Sequence, residues 1–112
     1  MREDLQRQSS FGKLIGTSVV RTDPGLREIE VRYEAQPEFT NRIGTIAGGM
    51  LSAMLDSSTG LAALAVLPEG TFVMHTSLQV EYLKPASPGV LTATARALEQ
   101  TDRDVQTESE LH

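Results

Sequence analysis

Apolar and polar positions alternate in several stretches of the chain. In LREIEVRYE, 26–34, Ile29, Val31 and Tyr33 alternate with Glu28, Glu30 and Arg32, which predicts a strand with one buried face. LIGTSVVR, 14–21, suits a strand before it. Thr22-Asp23-Pro24-Gly25 joins the two, with proline presetting φ and glycine able to take a positive one, so an antiparallel hairpin is expected. The alternation returns in FVMHTSLQVEYL, 72–83, with Phe72, Met74, Thr76, Leu78, Val80 and Tyr82 on one face and Val73, His75, Ser77, Gln79, Glu81 and Leu83 on the other. VLTATARALE (90–99) and DVQTESELH (104–112) predict two further strands. Residues 47–67 predict one long helix, stopped by Pro68. The 12-residue loop before it, AQPEFTNRIGTI, is long enough to carry function. Residues 1–12 read as a flexible or short helical lead-in and 13–112 as one domain. This order predicts an α+β fold, one helix on an antiparallel sheet.

The helix does not pattern like a surface helix. Asp56 is the only charge between Arg42 and Glu69. Met50, Leu51, Met54, Leu55, Leu61, Ala62 and Ala65 share one arc, interrupted only by Ser58. The opposite arc holds Gly49, Ser52, Ala53, Asp56, Thr59, Gly60 and Ala63, residues small enough for another surface to approach closely. A helix buried on both sides follows, with its own sheet on one side and a subunit partner or ligand on the other. Asp56, a carboxylate on the small-residue face, then needs hydrogen bonds, a partner charge or water. Gly48-Gly49 leaves backbone N–H groups open at the positive end of the helix dipole, suited to a carbonyl or an oxyanion.

Composition narrows the chemistry. The 112 residues carry ten Lys plus Arg and fifteen Asp plus Glu, a formal charge of −5. With five aromatics and no basic cluster, nucleic acid is not an expected partner. Cysteine is absent, which removes disulfides, thiolate metal sites and thiol nucleophiles and is compatible with a cytoplasmic location. His75 and His112 are the only histidines, so no metal site is expected and a Ser-His-Asp type of triad would have to run through His75. The start, MREDLQRQSS, lacks the apolar core of a secretory signal, and no stretch reaches the roughly 20 apolar residues of a membrane span.

Asn41-x-x-Gly44-x-x-Ala47-Gly48-Gly49, then Asp56, then LQVEYLKPA at 78–86, resembles the hotdog-fold acyl-CoA thioesterases, particularly the phenylacetate-pathway (PaaI-type) branch. The resemblance implies a hotdog fold, an antiparallel sheet wrapped around one long central helix, here short of a final strand because the residues end at Leu111-His112. It implies hydrolysis of an aryl or medium-chain acyl-CoA to free acid and CoA, without a cofactor. Asp56 would be nucleophile or general base, the Gly48 N–H would receive the thioester carbonyl, and Asn41 would orient water or substrate from a facing subunit. Gly49, His75, Thr76, Arg42 and Lys84 would complete the substrate site, the two cations near the phosphates of CoA. The family form is a homodimer, commonly paired into a dimer of dimers.

Two positions depart from that pattern. Ala47 stands where the family has histidine, which leaves open a weakly active or non-catalytic hotdog protein that binds acyl-CoA or serves in assembly. His75 stands where a hydroxyl residue is common, either as an ordinary polar-face strand residue or as a partial replacement for the missing histidine. A hotdog hydratase fits less well, since an Asp/His pair is not evident from the sequence.

Overall fold

The computed structural model describes residues 2–112. Two short helices, α1 (Glu3–Gln6) and α2 (Ser10–Leu14), lead into the hairpin β1 (Ser18–Asp23) and β2 (Glu28–Ala35). A 3-10 turn (Pro37–Phe39) and a loop precede the long helix α3 (Gly48–Ala65), and β3 (Gly89–Gln100) and β4 (Val105–Leu111) follow. The strands form one antiparallel sheet in the order β1-β2-β3-β4. The fold is therefore α+β with one long helix on an antiparallel sheet, as the pattern predicts. No helix among the described residues is long and apolar enough to cross a membrane.

The sheet face under α3 is large on β2 and small on β3. Ile29, Val31, Tyr33 and Ala35 of β2 are buried, with Ala93, Ala95 and Ala97 of β3 beside them. Alanine on the central strand lets the helix settle close, so its own buried face includes the small residues Ser58 and Ala62 as well as Met54. The hydroxyls carried into this interface are paired, as burial requires. Tyr33 donates to Ser57 Oγ at 2.9 Å, and Ser58 Oγ lies 2.9 Å from Ser109 Oγ of β4.

Local backbone chemistry moves two boundaries. The first strand begins at Ser18 rather than Leu14, because Ser9 caps α2 by accepting from the Gly12 N–H at 3.0 Å and carries residues 10–14 into a helical turn. Gly16 then reverses the chain at φ +66°, where a Cβ would sit 2.7 Å from Glu34 Cβ. In the hairpin turn the positive φ falls on Arg27 (54°), not on Gly25, and Asp23 Oδ1 accepts from the Leu26 N–H at 3.2 Å.

The largest departure concerns residues 72–83. They pair with no strand among the described residues but run along the small-residue face of α3. Tyr82 donates to the Gly48 carbonyl at 3.1 Å and shares a hydrogen bond with Ser52, while His75 reaches Thr59. Farther on, the Ile46 N–H donates to the Ala86 carbonyl at 2.8 Å. His75 and Tyr82 were expected on opposite faces, yet both meet the helix, so strict alternation fails between them and the chain bends at Thr76. The surface expected to come from a partner or ligand on this side of α3 is thus partly the chain's own.

At the other end, α1 folds back on α3. Arg2 donates to the Ala65 and Leu67 carbonyls at 3.3 and 2.8 Å, satisfying acceptors that a helix C-terminus leaves open, and Leu5 is buried.

Burial pushes the Tyr33 phenol up to about 12, against the opposing effect of its hydrogen bonds to Ser57 and Ser58. Because the folded value is raised, Tyr33 contributes fully below the ordinary phenol range near 10.0 and loses that contribution as pH rises through about 12. Tyr33→Phe is expected to cost about 1 kcal/mol at pH 7 through the lost Ser57 bond. Above pH 10 it should lose less stability per pH unit than wild type, as urea unfolding at pH 7 and at pH 10 to 11 will measure.

Candidate active site

Asp56 lies on the exposed flank of α3, with its side chain half-exposed at 49%. It is neither buried nor alone: His75 Nδ1 stands 2.9 Å from Asp56 Oδ1. The other ring nitrogen, Nε2, is 2.8 Å from Thr59 Oγ1, one helical turn beyond Asp56. Thr59 Oγ1 also lies 2.7 Å from the Leu55 carbonyl oxygen, the back-bond common for a threonine inside a helix. The imidazole fits over Gly60, where a Cβ would stand 3.5 Å from its Cε1. A small residue at that position leaves space for the ring beside the helix.

Thr59, His75 and Asp56 have the connectivity of a hydroxyl-imidazole-carboxylate triad, and it runs through His75. Thr59, however, is only 5% exposed, so its hydroxyl is closed to a substrate carbonyl and the row is not a nucleophilic triad. An Asp/His pair does exist, contrary to the sequence reading, but both ring nitrogens are engaged. That leaves Asp56 as the accessible oxygen base of the cluster.

Asp56 also borders a cavity of about 190 Å³ between α3 and the N-terminal segment. Leu5, Phe11, Val19 and Leu61 are its apolar lining, and Gln6, Arg7, Gln8, Ser9, Thr17 and Ser57 its polar lining. The Thr17 hydroxyl is buried without a hydrogen-bond partner among the described residues. These N-terminal lining residues and Thr59 are additions to the set read from sequence. Thr59 was open to inference as the hydroxyl three positions after Asp56, on the same helix face. The N-terminal wall had no comparable signal, since α1 and α2 are too short to show a period.

A second hollow, about 250 Å³, opens at the start of α3 and is lined by Gly48, Tyr82 and Lys84 among others. Ala47 is the residue before the helix and offers no side-chain cap, and the N–H groups of Gly48 and Gly49 have no partner among the described residues. Gly48 carries the Tyr82 ring so closely that a Cβ would lie 3.2 Å from it. Lys84 is exposed, as is Arg42 in the preceding loop, and neither makes an ion pair among the described residues. Arg96 is held by Glu28 and Glu108, both at 3.7 Å.

The remaining expected residues stand apart from Asp56. Asn41 shapes its own loop: its Oδ1 accepts from the Ile43 and Thr45 N–H groups at 3.1 Å, and its Nδ2 donates to Thr45 Oγ1 at 2.8 Å. Gly49 is exposed with open space around it. Thr76 is exposed at the bend next to His75. Met54 lies in the core, whereas Phe72 and Met74 are 95% and 88% exposed. Gly48 and Asp56 lie on one helix more than two turns apart, about 12 Å along its axis.

Known proteins resemble this chain in sequence and fold. The family described as a domain of unknown function, DUF4442, matches residues 4–112. Human acyl-coenzyme A thioesterase 13 is 28% identical over 98 residues, 86% of this chain and 68% of that protein. A proposed esterase of Saccharolobus solfataricus is 26% identical over 98 residues, 88% of this chain and 68% of its own length. Among solved structures, a phenylacetic acid degradation-related protein of Ralstonia eutropha JMP134, itself a proposed thioesterase, superposes with a TM-score of 0.92 at 27% identity. The match covers 98% of this chain and 86% of that one. By family match and by fold, the chain belongs to the DUF4442 family and to the hotdog-fold thioesterases.

Proposed function

We propose that the protein hydrolyses an acyl-CoA thioester with Asp56 as the catalytic carboxylate. The observation that carries this reading is the position of Asp56: half-exposed, hydrogen-bonded by His75 and bordering a cavity lined by both apolar and polar side chains. Acting as general base, Asp56 takes a proton from water as the water oxygen adds to the thioester carbon. The carbonyl oxygen, now an oxyanion, is received by the Gly48 N–H. The C–S bond then breaks, and the CoA thiolate leaves with the proton as thiol. Acting as nucleophile, Asp56 would add directly, and water would cleave the resulting anhydride. A dehydration reaction is less well supported, because it needs a second free proton-transfer group and His75 has both nitrogens bonded.

The cavity volume bears on the acyl group. An apolar cavity of roughly 150 Å³ accommodates benzene. The cavity of about 190 Å³ beside Asp56 has the volume for an aryl or medium-chain acyl group, which Leu5, Phe11, Val19 and Leu61 would contact. Lys84 and Arg42 stand free near the start of α3, where the CoA phosphates would benefit from both the cations and the helix dipole. The separation of about 12 Å between Gly48 and Asp56 is too large for both to act on one carbonyl within one chain. It supports a site assembled from two copies, the Gly48 N–H and Asn41 of one facing Asp56 of the other.

Release of free thiol from phenylacetyl-CoA and hexanoyl-CoA tests the reaction. Asp56→Asn is expected to lower kcat by at least about 10³-fold with the thermal transition retained. Equal rates for wild type and Asp56→Asn would overturn the assignment.

Gly48→Pro removes the oxyanion N–H; the backbone accepts proline at the first helical position, since Ala47 already has φ −58° and ψ 139°, and the Tyr82 ring, 3.2 Å from the new Cβ, must shift by a few tenths of an ångström. A loss of about 10²- to 10³-fold is expected. Refolding the Asp56→Asn and Gly48→Pro chains together should recover up to about a quarter of wild-type activity, because a mixed dimer contains one intact site. No recovery on mixing would place both groups in one chain.

Ala47 favours the alternative of acyl-CoA binding with weak or no turnover. Tight binding of the ester without thiol release from wild type, together with a marked rate increase in Ala47→His, would establish that reading instead.

A further inference from the structure

We propose that His75 is a positioning residue that holds one oxygen of Asp56 and leaves the other for the substrate. This rests on the catalytic reading of Asp56 given above.

The hydrogen-bond accounting around the ring supports it. The Thr59 hydroxyl has one proton and three acceptors in range, the Leu55 and Asp56 carbonyls at 2.7 and 3.2 Å and His75 Nε2 at 2.8 Å. If that proton goes to either backbone carbonyl, Thr59 accepts from an Nε2–H while the acceptor Asp56 still requires an Nδ1–H. If the proton goes to Nε2, the ring is neutral and again carries its hydrogen on Nδ1. In both arrangements Nδ1–H points at Asp56 Oδ1. The carboxylate is oriented whichever way the Thr59 hydroxyl turns, and Thr59 fixes the ring from behind.

The ring has little freedom to do otherwise. Its side chain is 28% exposed, lies over Gly60 and is carried by a segment that meets α3 again at Tyr82. Asp56 Oδ1 is thereby committed to His75, and Oδ2 has no hydrogen-bond partner among the described residues. A carboxylate rotating freely on a half-exposed helix flank would spend much of its time misaligned. Misplacement of about 1 Å in such a group costs on the order of 10²-fold in rate.

Asparagine and glutamine separate the two bonds of the ring. In His75→Asn the side-chain amide lies where Nδ1 was and can still donate to Asp56, whereas in His75→Gln it lies where Nε2 was and reaches Thr59 instead. With phenylacetyl-CoA and hexanoyl-CoA as substrates, His75→Asn is expected to keep kcat within about threefold of wild type. His75→Gln and His75→Phe should lose about 10²-fold in kcat with KM changed by less than about threefold. Melting curves of all three confirm that folded protein is compared.

Equal rates for His75→Asn and His75→Gln, or full activity in His75→Phe, would overturn the positioning role. If the loss falls on KM alone, His75 binds substrate and the proposal likewise fails. Asp56→Asn measured alongside separates the two levels: an inactive Asp56→Asn with indistinguishable His75 variants rejects the proposal only. An active Asp56→Asn, or no cleavage of either ester by wild type, rejects the catalytic reading and the proposal together.

Discussion

The burial of α3 on two sides is the constraint on which the rest of this structure depends. Small side chains let a helix be covered at close range on opposite faces. Ala93 and Ala95 on the central strand do so from the sheet side. Gly48, Ser52 and Gly60 do so on the outer side, where Tyr82 and His75 come down onto the helix. Because residues 72–83 have no strand partner among the described residues, side-chain bonds to α3 are what hold this segment in place. The same bonds create the site: a small residue at position 60 leaves space for the imidazole, and without the imidazole Asp56 would be an unsupported surface carboxylate.

What was legible in the sequence follows the range of the interactions involved. The α3 helix, the hairpin and the strands β3 and β4 were all readable, because their periodicities are local and the breakers Pro68 and Pro24 stand at their ends. The stretch 72–83 alternates as clearly as any of them, yet pairing is a property of two segments and alternation reports only one. The bend at Thr76 that brings both His75 and Tyr82 to the helix has no signature in the pattern. Leu14 was misassigned for the opposite reason: a short cap, Ser9 to Gly12, outweighed a favourable run of β-branched residues.

Asp56 was the most legible site residue because electrostatics made it conspicuous, one charge in a long uncharged stretch. That reasoning was incomplete in one respect. It treated the carboxylate as a buried charge in search of compensation, whereas the structure leaves it half-exposed with a histidine bonded to it. The partner was 19 positions away in a segment expected to bury the opposite edge against a sheet, so no spacing rule could connect them. The unpartnered Thr17 hydroxyl was invisible for a similar reason, since a hydroxyl is informative only once its neighbours are known.

The charge distribution and the exposed apolar surface point the same way as the geometry of α3. The protein carries a net charge of −5, so any attraction for a polyanionic substrate must be local. Arg2, Arg21 and Arg96 are engaged by carboxylates, while Lys84 and Arg42, near the start of α3, are not. Phe72, Met74 and Leu83 are at the same time more than four-fifths exposed on the segment that lies over that helix. Apolar groups of this size rarely remain exposed together in a protein that stays alone. Under the proposed two-copy arrangement, one contact would cover these side chains and bring the open N–H groups of Gly48 and Gly49 toward the partner's Asp56. Exposure of the segment, separation of the two catalytic elements along α3 and the free cations beside the helix start would then have a single physical cause.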